Sequence, residues 1–62
     1  MDEGETLEVV RCAAAKLAAA RAELEAAVLE ARRQGLSLRA VATAAGTNHE
    51  AVRTLERKAG DT

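Results

Sequence analysis

Apolar residues in the first half of the chain fall at Leu7, Val10, Ala14, Leu17, Leu24, Val28 and Ala31, with charged Arg21 completing the series. The steps alternate between three and four, which is the spacing of a heptad seam along one side of a helix. Between Gly4 and Gly35 there is no glycine or proline, and Ala, Leu, Glu, Arg and Lys dominate. These are the strongest helix formers. Glu3, Glu5 and Glu8 stand at the start and Arg32 and Arg33 at the end, an arrangement that suits the helix dipole. Gly35 fits the left-handed residue just past a helix, with Leu36 closing over the last turn. The pattern predicts one long helix over roughly residues 5–34, with a frayed start.

A different pattern follows. Ser37 is a good N-cap for a short helix from Leu38 to Ala45, which Gly46 ends. Asn48 is a good N-cap for a third helix, from His49 to about Ala59. Gly60, Asp61 and Thr62 read as a frayed end. The expected fold is all-α, with three helices and no strands. It divides into residues 1–34, an acidic start and a long Ala-rich helix, and residues 35–62, two short helices about a tight glycine turn. The latter is a helix-turn-helix arrangement.

The long seam raises a question of reach. A 30-residue helix is about 45 Å long, and the rest of the chain covers about half of that. Leu7, Val10 and Leu17 would then stand in water. The bland alternative is a helix that packs wholly on its own domain. The expectation adopted is that Leu7, Val10, Ala14, Leu17, Arg21 and Leu24 form a surface that pairs with the same surface of another chain. Arg21 either snorkels to water or sets the register of that pairing. Parallel and antiparallel pairing both remain open.

Composition sharpens this reading. Of 62 residues, 48% are hydrophobic, but 16 are Ala, and Phe, Tyr and Trp are absent. The residues able to fill a core are essentially Leu and Val. Each such burial contributes about 1.5–3 kcal/mol, against an ordering cost of about 1–2 kcal/mol per residue. A lone monomer should be marginal, so self-association or a partner is expected to supply burial. Balanced charge, net −1, argues against disorder. The single Cys12 excludes a disulfide scaffold and reads as an inert small apolar residue. One Cys and one His do not make a zinc site. No catalytic set has useful spacing, so neither an enzyme, a cofactor nor a small-molecule substrate is expected. No apolar run is long enough to span a membrane, and without aromatic anchors a membrane-surface helix is a weak idea. The acidic start is the reverse of a signal peptide, and with a free thiol the expected location is the reducing cytoplasm.

The segment from Leu36 to Leu55, LSLRAVATAAGTNHEAVRTL, resembles the helix-turn-helix of DNA-binding proteins. It is most similar to the type found in resolvases and invertases, in sigma-factor region 4, and in many small bacterial and phage regulators. The resemblance covers residues 36–59 and the Gly35 boundary. It implies that small Ala42 lies where the two short helices cross and that Gly46 supplies the positive φ of the turn. It further implies that Val41, Ala45, Val52 and Leu55 form the wedge between the helices. Leu36 and Leu38 extend that wedge, and Leu24, Val28 and Ala31 close its third side. Thr47 departs from the Val or Ile more usual there.

The resemblance also implies double-stranded DNA as partner, with the third helix in the major groove. Arg53 is then the candidate for a bidentate contact to guanine, and Glu50 is placed to accept from a cytosine amine. His49 is placed for a base or a phosphate, and Thr54 for a thymine methyl or a phosphate. Arg57, Lys58 and Arg39 are expected at phosphates, as are backbone N–H groups at Ser37 and Asn48. The plainer reading of Glu50, Arg53 and Glu56 is a set of surface ion pairs at helical spacing. From residue 35 on, four basic residues face three acidic ones, a near balance where strong DNA binders show a basic patch. A dimer would double the phosphate contacts.

The sequence therefore points to a cytoplasmic, homodimeric, sequence-specific DNA-binding regulator of transcription. The rival is a protein-interaction module whose Ala/Leu helix binds a larger transcription-related partner.

Overall fold

The computed structural model describes residues 2–60, and helix α1 spans Glu3–Arg33, α2 Leu38–Ala45 and α3 His49–Gly60. Each helix begins with the same device. A side-chain oxygen of the preceding residue accepts the backbone N–H three residues on, satisfying a donor that the helix itself leaves unpaired. Asp2 Oδ1 accepts from Glu5 at 2.8 Å, Ser37 Oγ from Ala40 at 3.1 Å, and Asn48 Oδ1 from Ala51 at 2.9 Å. The Asp2 cap corrects the expected start of the long helix. It draws the first turn back to Glu3, so Gly4 lies inside α1 and divides nothing. Gly60 likewise closes α3 rather than belonging to a frayed end; Met1, Asp61 and Thr62 lie outside the described residues.

The two internal stops are also built alike. Leu36 N–H donates to Ala31 O at 3.2 Å and Gly35 N–H to Arg32 O at 3.0 Å. At the end of α2, Thr47 N–H donates to Ala42 O at 2.9 Å and Gly46 N–H to Thr43 O at 3.1 Å. This paired pattern needs a left-handed residue, and φ is +90° at Gly35 and +70° at Gly46. The helices are thus cut to length by local chemistry, and the second stop leaves a connection of Gly46, Thr47 and Asn48.

The core is small. Val28, Val41, Ala42 and Val52 are buried, with Ala31, Leu38, Ala45 and Leu55 packed against them. Ala42 is 2% exposed within this core, so a larger side chain there would have to displace its neighbours. Two expected members are missing. Leu24 and Leu36 remain 48% and 50% exposed. The backbone of Leu36 is held at both ends, by its N–H to Ala31 and by its carbonyl, which accepts from Arg32 Nη1 at 2.8 Å. Its side chain is left on the rim of an apolar groove of about 200 Å³ between α1 and α2, alongside Leu24, Ala40 and Ala44. Leu24, one turn before Val28, borders the grooves that α1 makes with α2 and α3 but is not closed over by either helix.

Every described residue of α1 before Val28 is exposed. The molecule measures 50 × 26 × 18 Å with a radius of gyration of 15.7 Å, whereas a compact chain of this length has about 11 Å. The long dimension is α1 itself, whose 31 residues rise about 46 Å. The α2–α3 pair stands on its C-terminal third.

Candidate nucleic-acid interface

Helix α3 turns one side to the core through Val52 and Leu55. Residues a half-turn away must then face outward. Glu50, Arg53 and Arg57 are exposed there; Lys58, three residues past Leu55, is exposed on a flank of α3, and Arg39 is exposed on the first turn of α2. Asn48 is exposed too, but its side-chain oxygen is committed to capping α3. Two expected positions differ. Thr54 is half-buried, so it offers less surface than the spacing implied. His49 is exposed, but it lies seven residues before Glu56, which places both on the same flank of α3. That flank turns toward α1, because Glu56 Oε2 meets Arg32 Nε at 3.2 Å. His49 therefore stands at the edge of the outward face.

The ion pairs are not those that i,i+3 spacing suggested. Glu50 reaches Arg57, Oε1 to Nη2 at 3.7 Å, between side chains 72% and 65% exposed, a loose contact in high dielectric. Glu56 is taken by Arg32. Arg53 is therefore released from both neighbours and forms no ion pair with a described residue, and the same holds for Arg39 and Lys58. Among the described residues, α2 and α3 thus carry three exposed cations without an ion pair and a fourth that is loosely held.

Both short helices also leave N–H groups open. Ser37 O accepts from Val41 at 3.0 Å and Asn48 O from Val52 at 3.4 Å, and each cap side chain takes the third N–H. The N–H groups of Leu38 and Arg39, and those of His49 and Glu50, are the remaining unpaired donors of their first turns. They sit one or two residues past Ser37 and Asn48, and they point along the helix axes toward anything bound there.

Arg32 has a role that spacing alone did not reveal. Its place at the end of α1 suits the helix dipole. In the structure its guanidinium joins three segments, α1, the loop carbonyl of Leu36 and Glu56 of α3. The outward face of α3 is aimed by this contact together with the Val28–Val52 core. Nothing in the local pattern around Arg32 signals a partner on another helix.

Among the described residues, no cluster of His, Cys, Asp or Glu is suited to hold a metal ion, and no helix is long and apolar enough to cross a membrane. No protein-family model, curated protein or solved structure matches the chain.

Proposed function

We propose that the chain is a sequence-specific DNA-binding regulator of transcription. In this reading α2 and α3 act as a helix-turn-helix unit with α3 in the major groove, and two copies joined through α1 present two such units to DNA. The observation that carries the reading is Arg53. It stands in the second turn of α3, on the side away from Val52, exposed and unclaimed by any described carboxylate. A free guanidinium there suits the two acceptors of a guanine edge. Arg39, Arg57 and Lys58 add exposed charge for phosphates, and the open N–H groups of the two helix starts add uncharged donors.

The near-neutral balance of the α2–α3 region favours the second reading, in which α1 docks on a larger transcription-related protein. One experiment separates them. The purified chain is used to select from random-sequence duplex DNA at about 100 mM salt, and the affinity of the selected duplex is followed against salt. Four cations engaged per copy give a slope of log K on log salt of about −3 to −4, and about twice that for two copies. An enriched motif with such a slope supports the proposal. No enrichment, with binding to partners that salt does not weaken, gives the field to the second reading.

A further inference from the structure

The free part of α1 runs from Glu3 to Ala27 and exposes Leu7, Val10, Leu17 and Leu24, each between 48% and 59%. The chain's accessible surface is 4918 Å². A compact protein of 6.5 kDa exposes about 3,800 Å². The excess, about 1,100 Å², is of the size that one partner contributes to a stable interface, about 800 Å².

We infer that this face is covered by α1 of a second copy, running antiparallel, with the two-fold axis between Ala15 and Lys16. The register follows from the residues. It sets Leu7 opposite Leu24 of the second copy, Val10 opposite Arg21, and Ala14 opposite Leu17, so large side chains meet small or aliphatic ones in every layer. In an antiparallel pair the residues that flank the seam on one side meet their own kind. On one flank these are Arg11 and Glu25, which come together twice, once at each end. Both are exposed; Glu25 forms no ion pair with a described residue, and Arg11 meets Glu8 of its own helix at 2.7 Å between side chains 66% and 64% exposed, a weak solvated contact it can exchange. On the other flank are Ala13 and Ala20, whose small side chains allow the two helices to approach closely.

The parallel alternative lacks all of this. It would stack Arg21 on its own copy in the seam and Ala14 on Ala14, leaving a repulsion in one layer and a void in another. It would also hold Arg11 and Glu25 apart by about 21 Å of helix rise.

Length gives an independent reason. In the antiparallel register Glu3, the first residue of α1, falls opposite Val28 of the other copy. Val28 is where α2 and α3 begin to cover α1. The partner helix therefore fills the free length and stops where the chain's own helices take over. The two α2–α3 units then stand at opposite ends of a four-heptad rod. The inference deepens the self-association half of the proposed function and uses nothing from the DNA half.

The test is sedimentation equilibrium on the full chain and on Arg11→Glu and Glu25→Arg, alone and mixed. Wild type should be a dimer. Each variant sets like charges together at both ends and should weaken the dimer about tenfold. An equimolar mixture should recover wild-type association as a heterodimer, because each chain then offers the sign the other needs. A second measurement fixes direction without relying on charge. Spin labels on Glu3→Cys in a Cys12→Ser background should lie about 37 Å apart along the rod. A separation of about 10 Å, the distance between packed helix axes, or a mixture no tighter than its components, overturns the antiparallel register. A wild type that stays monomeric at high micromolar concentration overturns the inference entirely. Because no DNA enters these measurements, they fail or succeed separately from the selection experiment.

Discussion

Replacing Arg32 should loosen α3 on α1 although Arg32 contributes nothing to the small apolar core. Its Nε is 3.2 Å from Glu56 Oε2 and its Nη1 donates to Leu36 O at 2.8 Å. The two side chains of the pair are 30% and 35% exposed, so the contact lies between the surface and buried limits. An ion pair at this exposure contributes about 0.5–1 kcal/mol. The charge-assisted bond to the carbonyl adds about 1 kcal/mol after solvent discount. Arg32→Ala should therefore cost about 2 kcal/mol, equivalent to roughly 10 °C in melting temperature for a domain this small. Arg32→Lys keeps the charge but reaches one partner at a time, and should recover less than half of the loss. The decisive assay is a double-mutant cycle with Glu56→Ala, read by urea unfolding at fixed protein concentration. The coupling should be about 0.5–1 kcal/mol. Strictly additive single losses would refute the tether and leave the small apolar core alone responsible for holding α3 on α1.

Four other outcomes are expected. Arg53→Ala should cost about 1–3 kcal/mol in binding to a selected duplex and relax the preference at one base position; circular dichroism should be unchanged, and an unchanged affinity would remove Arg53 from the reading surface. Gly46→Ala should destabilise by about 1–2 kcal/mol in thermal unfolding, because φ is +70° while no atom lies within 4 Å of the added methyl; a larger loss would mean that space, not backbone, is limiting. Val52→Ala, at a site 2% exposed, should cost about 2 kcal/mol or more and should abolish cooperative melting of the α2–α3 unit. The Glu30 carboxyl is held below its usual range by hydrogen bonds from Arg33 and Gln34 and by the Arg33 charge. Its contribution is therefore full above the ordinary carboxylate range and is lost as pH falls through the lowered folded value, which carbon-detected NMR titration of wild type against Arg33→Ala should show as an upward move in the variant.

The helix ends are legible because each start and stop is a local event. Ser37, Asn48, Gly35 and Gly46 act on backbone groups within five residues, and sequence shows such neighbours directly. Asp2 acts in the same way: its cap to Glu5 N–H outweighs the cost of one glycine in the first turn, so the helix begins ahead of Gly4. The long-range partners were not legible. Arg32 and Glu56 are separated by the whole of α2, and helical spacing offered Glu56 a nearer partner in Arg53. The choice between them is made by how α3 lies on α1. Leu24 and Leu36 show the same limit from the apolar side. Their spacing places them on the correct faces, but whether a face is covered depends on where the covering helix ends.

The small core and the long exposed helix are consequences of one composition. Ala favours helix without filling space, so α1 forms readily as an isolated rod for its length, and its helicity does not wait on burial. The α2–α3 pair is different. At 8 and 12 residues neither helix is stable alone. They are ordered by their caps, by Val28, Val41, Ala42 and Val52, and by the Arg32 tether. The rod thus acts as a template whose C-terminal third supports the short helices. Its remaining length lends them nothing unless a second chain binds it. A second chain that binds the folded rod would then raise the stability of the whole fold by mass action, so the exposed seam and the outward face of α3 are coupled through α1.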